Sequence, residues 1–219
     1  MMPFFFGTRE RRLFGAYDPA RTTKRAARAA LICAPWGNEY IYSHRTLRQL
    51  ALRLSQNGFH VLRFDYYATG DSAGADGEND TAGSGADVET AWAELKEITG
   101  IARISLVGLR FGASLAADVV ARRASEVEAL VLWEPLTALE DEAAGPAESP
   151  ADFRALDLDE RAPSLPARSL VLSTVAPKRH ASRQLAVDFV ACEPPWVEQN
   201  VQTGVIPVKA VRHIVNWLG

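Results

Sequence analysis

The sequence contains few of the residues that mark metal-binding, disulfide-bonded or secreted proteins. Its 219 residues include two cysteines, Cys33 and Cys192, and four histidines. Two cysteines this far apart favour a reducing compartment over a disulfide framework, and no group of cysteines or histidines has the spacing of metal ligands. The apolar start, Met1–Phe6, is far shorter than a signal-peptide core. We therefore expect a cytoplasmic protein that uses no metal and no other cofactor.

The chain also lacks a strong charge of either sign and any long apolar run. Its formal net charge is −3, so electrostatics give no reason to expect a nucleic-acid or anionic-membrane partner. No stretch approaches the roughly 20 apolar residues of a membrane span. We expect a small-molecule partner. The sequence leaves homo-oligomer formation as an alternative, because Phe4–Phe6, Trp196 and Trp217 could form an apolar contact surface.

Hydrophobic residues make up 47% of the chain, which is an ordinary share for a folded core. Short apolar runs alternate with segments whose apolar residues recur at helical spacing. This order predicts an α/β fold with a mostly parallel sheet that helices cover on both faces. The pattern alone would equally fit a Rossmann or flavodoxin-like protein.

We treat residues 1–219 as a single domain, in which approximately 135–166 forms a short lid insertion with one short helix. The predicted strands are Arg11–Tyr17 as an edge strand, Ala29–Ala34, His60–Asp65, the stretch ending at Gly108, Val127–Trp133 and Arg168–Val175. The predicted helices are His44–Asn57 with Ser43 as N-cap, Ala86–Thr99, the stretch from Gly112 to about Ala124, Ala181–Ala191 and Val208–Leu218.

The stretch Ala102–Ala117 carries the strongest single pattern. A short apolar strand runs into the turn Gly108-Leu-Arg-Phe-Gly112, and an alanine-rich helix follows. Strand, tight Gly-x-x-x-Gly turn and helix is the layout of a nucleophile elbow. The residue at the apex is Arg110, whose guanidinium offers only donors and has no nucleophilic atom. The turn is also not followed by Lys-Ser/Thr, so it is a weak candidate for a nucleotide site.

Several motifs together resemble the α/β-hydrolase superfamily near its serine aminopeptidase-like branch, and also the hydrolase-like proteins encoded beside exosortase systems. The resemblance implies an α/β-hydrolase fold. It covers about the first 135 residues well and the remainder by the order of elements. The motifs are Pro35-Trp36-Gly37-Asn38-Glu39-Tyr40, Ser43-His44-Arg45, Gly58-Phe59-His60-Val61-Leu62-Arg63-Phe64-Asp65-Tyr66, Gly70-Asp71-Ser72-Ala73-Gly74 and Gly108-Leu109-Arg110-Phe111-Gly112-Ala113.

The resemblance also implies where a catalytic apparatus would lie. Oxyanion-hole amides would come from Trp36 or Gly37 and from Phe111, and Arg110 occupies the nucleophile position. The acid position, Ala176–His180, has no carboxylate before Asp188. The base loop, 193–206, has no histidine, and His213 falls inside the final helix. Three separate departures predict that a Ser-His-Asp triad is absent.

The residues leave two interpretations of the elbow. Arg110 is either structural, satisfied by carbonyls or by Glu134, or it binds an anion together with the N-terminus of the elbow helix. Glu39 could pair with Arg110 or Arg45. A Glu39–His44 acid/base pair would serve only a bound water.

Other reactive residue types have simpler structural interpretations. We expect Asp71 and Ser72 to bond the backbone of their own turn, Cys33 to be inert packing in a strand, and His60 and His180 to be surface or capping residues.

We therefore predict a hydrolase-fold protein that binds an acyl, carboxylate or other anionic small molecule with little or no catalysis. The ligand-binding candidates are Trp36, Gly37, Arg110 and Phe111, and no residue is a firm catalytic candidate. The alternative is an active hydrolase of esters, thioesters or small peptides, in which Glu39, His44 or Asp71 activates water.

Overall fold

The computed structural model describes residues 1–22, 27–137, 148–175, 185–198 and 204–219. Within these ranges the strands are β1 (Met2–Gly7), β2 (Arg12–Asp18), β3 (Arg28–Cys33), β4 (Phe59–Phe64), β5 (Ile104–Leu109), β6 (Val127–Trp133), β7 (Ser169–Ser173) and β8 (Val187–Phe189). The helices are α1 (Gly37–Gln56), α2 (Thr81–Thr99), α3 (Phe111–Ala121), α4 (Leu158–Arg161) and α5 (Val208–Leu218), with 3₁₀ turns at Ala124–Glu126 and Ala162–Ser164.

The strands form a single sheet in the order β1-β2-β4-β3-β5-β6-β7-β8. Strand β2 runs antiparallel to both of its neighbours, β1 and β4, and every pair from β4 to β8 is parallel. Side chains of α2 and α3 build the core on one face of the sheet, and those of α1 and α5 build the core on the other. The predicted α/β-hydrolase fold with a mostly parallel, doubly covered sheet is confirmed.

The best-predicted elements are those whose sequence pattern follows directly from burial. All six residues of β5 are buried and Ser105 is its one polar residue, as expected for a parallel strand covered on both faces. In α5, Ala210, Val211, Ile214, Val215 and Leu218 are buried along one side. The bounds of β6 and α5 are those predicted.

The strand predicted at Arg11–Tyr17 is present as β2, but its predicted position at the sheet edge is wrong, because β1 lies outside it. Phe4–Phe6 form part of β1, which pairs with residues 12–17 of β2. The ring of Phe5 packs edge-on against Phe14 of β2, and Phe6 is buried. This apolar segment is therefore itself the sheet edge. Trp196, proposed as part of the same contact surface, is 2% exposed and belongs to the core.

Two helices begin earlier than predicted. Helix α1 begins at Gly37, and Ser43 is buried within it and does not cap it. Gly37 has φ +59°, which lets the chain turn directly from the loop after β3 into the helix. Helix α2 begins at Thr81, where the carboxylate of Asp80 accepts a hydrogen bond from the N–H of Gly83.

The predicted helix at 181–191 is wrong in its described part. Val187–Phe189 form β8, which pairs with β7, and residues 176–184 lie outside the described ranges. Valine and phenylalanine suit a strand, and β7 offers an edge on which to pair. None of the helices in the described ranges is long and apolar enough to cross a membrane.

Candidate functional site

The turn between β5 and α3 has the geometry of an elbow. Arg110 lies between them with φ 53° and ψ −120°, a strained conformation for a residue that carries a Cβ. A Cβ on Gly112 would overlap the carbonyl oxygens of Cys33 and Ala34, and one on Gly108 would overlap the start of α3. The two glycines are therefore required by the close approach of α3 to β3 and β5.

The guanidinium of Arg110 forms a buried ion pair with Glu39 from the first turn of α1. Its Nε donates to Oε1 of Glu39 at 3.0 Å, and its Nη2 lies 2.9 Å from the same oxygen. Both side chains are 4% exposed. The carbon centre of the guanidinium lies 5.2 Å from the ring centroid of Trp196, within the range of a cation–π contact. The carboxylate partner of Arg110 is therefore Glu39 and not Glu134.

The pKa of Glu39 lies well above that of an ordinary glutamate. Burial raises the pKa of Glu39 to about 7, because desolvation of its carboxylate outweighs the opposing effect of Arg110. The neighbouring carboxylate of Glu148 raises this pKa further. The pair therefore changes its net charge near neutral pH, from zero above the pKa to +1 below it.

The described part of the predicted lid lies against the elbow. The ring of Phe153 packs edge-on against that of Phe111 at 5.3 Å. The carboxylate of Glu148 accepts hydrogen bonds from the backbone N–H of Asn38 at 2.5 Å and from its side-chain Nδ2 at 3.1 Å. A carboxylate at this end of α1 also complements the helix dipole. Glu148 thus caps α1 beside the amide of Gly37, which is one of the predicted oxyanion donors.

The predicted oxyanion residues lie together around the elbow. The ring of Trp36 packs edge-on against that of Phe111 at 5.6 Å. Within the described residues, no acceptor is hydrogen-bonded to the backbone N–H of Phe111, which is at the N-terminus of α3. Trp36 and Gly37 also line a neighbouring cavity, whereas Arg110 and Phe111 are 3% and 0% exposed.

Glu134, at the end of β6, has a structural role that the sequence did not indicate. Its Oε1 accepts hydrogen bonds from Ser173 Oγ at 2.9 Å, from the N–H of Thr174 at 2.6 Å and from the N–H of Val175 at 3.2 Å. The residue is 0% exposed and has φ +45°. This carboxylate connects the carboxyl ends of β6 and β7. The only sequence signal is an acidic residue directly after a buried strand.

Glu39 and His44 point to different places, although both are in α1. Glu39 faces Arg110, whereas His44 lines a smaller cavity with Asp65 and Asp71. Burial lowers the pKa of His44, and Arg63 lowers it further. The predicted Glu39–His44 pair is therefore not assembled.

Ser72, Cys33 and His60 each have a structural role in the sheet. Ser72 Oγ donates to the carbonyl of Asp65 and accepts from the N–H of Phe14, so Ser72 joins β4 to β2 and does not bond its own turn. Cys33 is buried, which raises the pKa of its thiol to about 12. His60 packs against Tyr17, with a 2.5 Å hydrogen bond between Nδ1 and the tyrosine hydroxyl.

An aspartate and a histidine do meet, but away from the elbow. Nε2 of His213 in α5 lies 2.8 Å from Oδ2 of Asp188 in β8. Both side chains are partly exposed, at 33% and 42%. The acid position at 176–180 and part of the base loop, 199–203, lie outside the described residues. Among the residues that are described, no three histidines, cysteines or carboxylates are arranged to hold a metal ion.

Comparison with known families agrees with this geometry. The model of the family described as serine aminopeptidase, S33, matches residues 27–210, which is most of the chain. The chain belongs to the serine aminopeptidase S33 family. No curated protein matches it. The matched region of this S33 family member includes the elbow, Glu39 and α1.

Solved structures share the fold with this S33 family member. An α/β serine hydrolase without a lid from Xanthomonas campestris has 18% identity and a TM-score of 0.66, covering 98% of this chain and 93% of its own. Proline iminopeptidase from Mycobacterium smegmatis has 12% identity and a TM-score of 0.69, covering 99% and 97%. A serine hydrolase homologue from Coxiella burnetii has 15% identity and a TM-score of 0.68, covering 100% and 97%. At these identities the likeness concerns the fold alone.

Proposed function

We propose that this S33 family member is a pseudoenzyme, which binds a carboxylate- or acyl-bearing small molecule at the elbow and does not cleave it. One observation carries the proposal, namely the buried Arg110–Glu39 pair at the apex where the fold presents its nucleophile. A guanidinium cannot attack a carbonyl carbon. The resemblance to hydrolase-like proteins encoded beside exosortase systems supports a ligand from surface-polysaccharide or secondary metabolism.

The donors around the elbow support an anionic ligand. The N–H of Phe111 lies at the N-terminus of α3, where helix ends attract anions. At the start of α1, the chain's own Glu148 carboxylate accepts two hydrogen bonds from Asn38. A ligand carboxylate of similar shape would find the same donors if Glu148 moved away. Arg110 would add a second charge-assisted interaction.

We expect no enzyme-like turnover. In a panel of p-nitrophenyl esters and aminoacyl p-nitroanilides, the rate should stay well below the roughly 1 s⁻¹ of ordinary enzymes. A fluorophosphonate should label no side chain, because the apex carries no nucleophile. A slow background is compatible with the proposal, since an oxyanion hole without a triad can leave about 10³–10⁴-fold acceleration over water.

The same assay tests the alternative, an active hydrolase that uses water. This alternative is favoured by one observation, the pKa of Glu39 at about 7, which is the range of a general base. Turnover at or above about 1 s⁻¹ that is lost in Glu39→Ala would support it and would contradict the pseudoenzyme. Covalent labelling by the fluorophosphonate would contradict both.

Anion binding should strengthen as the pH falls. Below about pH 7 Glu39 is protonated, so Arg110 carries an uncompensated charge, whereas above it the pair is neutral. For octanoate, measured by calorimetry, we expect the affinity to rise roughly tenfold between pH 8.5 and pH 6. Glu39→Gln should keep the binding and lose most of its pH dependence.

Two arginine variants complete this test. Arg110→Met should abolish octanoate binding. Arg122→Met is the matched control, because Arg122 is an exposed arginine whose ion pair with Glu89 lies on the surface. Octanoate affinity that is independent of pH, or that survives in Arg110→Met, would contradict binding at the elbow.

A further inference from the structure

A second candidate site lies beside the elbow. A cavity of about 500 Å³ opens between the start of α1 and the loop after β4. This volume falls within the usual range of small-molecule sites, roughly 300–1,000 Å³. We call it the α1 cavity. Arg110, Phe111 and Glu39 are not among its described lining residues, whereas Trp36, Gly37 and Asn38 are, so the cavity adjoins the proposed anion site at the start of α1.

Aromatic side chains form much of the wall of the α1 cavity. Trp36, Tyr40, Phe64 and Tyr66 all line it. Two of them are fixed by their hydroxyl groups. Tyr66 donates to the carbonyl of Ala34 at 3.0 Å, and Tyr40 donates to Asp65 Oδ1 at 2.5 Å. The aromatic wall is therefore preformed, which lowers the entropy that a ligand must lose on binding.

The charged groups that the structure describes in the α1 cavity are negative. Asp65 and Asp76 line it, and no arginine, lysine or histidine within the described ranges does. Asp65 is 8% exposed, whereas Asp76 is exposed to solvent. The positive end of the α1 dipole would oppose this negative charge, but the carboxylate of Glu148 already accepts a hydrogen bond from the N–H of Asn38 there. The field inside the cavity therefore favours a cation.

Asp65 keeps acceptor capacity for a ligand. Its Oδ2 accepts a hydrogen bond from the N–H of Asp71 at 3.0 Å, and its Oδ1 accepts one from the hydroxyl of Tyr40. Burial raises the pKa of Asp65, and these two hydrogen bonds and the charge of Arg63 lower it. Each carboxylate oxygen has a second lone pair available. Arg63 lines the smaller cavity on the other side of this aspartate.

We propose that the α1 cavity binds an organic amine, a molecule with an ammonium group and a compact apolar body. The ammonium group pairs with Asp65, with Asp76 adding attraction at the rim, and the apolar body packs against Trp36 and its aromatic neighbours. Aromatic faces and carboxylates are the two protein groups that attract such cations. The exposed side chain of Ile41 extends the apolar wall outward.

The test compares three probes of one shape and different charge. Binding of 2-phenylethylamine, 2-phenylethanol and phenylacetate to the full chain is measured by NMR titration at pH 7.5. We expect the amine to bind at least fivefold more tightly than the alcohol, and to shift the resonances of the Trp36 indole and the Ile41 methyl groups. The amine should also lose affinity with added salt, because its attraction is electrostatic.

Charge variants locate the site. Asp76→Lys should weaken the amine at least fivefold and leave the alcohol unchanged. Glu97→Lys is the matched control, since Glu97 is an exposed residue in the last turn of α2. Asp65→Asn, checked for native folding by its thermal transition, should weaken the amine further. Equal binding of amine and alcohol, a preference for phenylacetate that survives in Arg110→Met, or equal effects of the two lysine variants would each overturn the proposal.

Discussion

Glu39→Leu should lower the free energy of unfolding by about 3–5 kcal/mol at pH 8.5, where Glu39 is ionised, which is the usual cost of removing one partner of a buried ion pair. The variant leaves the guanidinium of Arg110 buried at 4% exposure without its carboxylate. An arginine cannot escape this cost by losing its proton. Urea unfolding, followed by tryptophan fluorescence, measures the change.

Two further variants separate charge from packing. Glu39→Leu combined with Arg110→Met should recover most of the loss, because replacing both members of a buried ion pair by apolar residues is often neutral or stabilising. Glu128→Ala is the control, since its pair with Arg103 is 3.5 Å long and more than 40% exposed. It should cost less than about 1 kcal/mol. A double variant as unstable as Glu39→Leu would show that packing, not charge, stabilises the elbow.

The pH dependence of these variants gives an independent check. Because the folded pKa of Glu39, about 7, lies above its ordinary value of 4.5, the folded state binds the proton more tightly than the unfolded state. Stability from this group is therefore present at low pH and is lost as the pH rises through 7. The wild-type chain should lose roughly 2 kcal/mol from this group between pH 5.5 and 8.5. Glu39→Leu should not, so its penalty should shrink with rising pH.

The fold could be predicted because buried positions carry apolar residues, and their spacing along the chain indicates strands and helices. Central strands such as β5 are buried throughout and bounded by polar residues, and α5 has one apolar face. The edges were the weak part of the prediction. Whether β1 and β8 form strands depends on a neighbouring strand with free backbone groups, and no local sequence pattern indicates that neighbour. The same limit applies to α1, whose capping carboxylate, Glu148, comes from 110 residues further along the chain.

The candidate site could be predicted in its residues but not in its pairing. Sequence reasoning named Arg110 and Glu39, but left Glu134 and Arg45 as competing partners. The choice depends on where α1 begins. With a start at Gly37, Glu39 falls in the first turn and faces the elbow. The contact of Arg110 with Trp196 joins residues 86 positions apart, and no sequence pattern predicts such a contact.

Gly112→Ala should be one of the most damaging single methyl additions to this chain. Gly112 lies in the first turn of α3, where its Cα faces the end of β3. A Cβ there would overlap the backbone carbonyl oxygens of Cys33 and Ala34, which cannot rotate away as a side chain can. Either α3 or the strand must shift, and with it Arg110 and its partner Glu39. We expect a loss of at least about 3 kcal/mol, at the upper end of overpacking costs.

Gly85→Ala is the matched control, because the same change in α2 should have the opposite sign. Gly85 is buried and helical, with ordinary φ, and its added Cβ would meet only Leu115 Cδ1 at 3.8 Å, an ordinary van der Waals contact. Alanine in a helix is favoured over glycine by about 0.5–1 kcal/mol. Thermal unfolding of both variants measures the contrast. A Gly112→Ala protein as stable as the wild type would show that the close approach of α3 to β3 does not constrain the elbow.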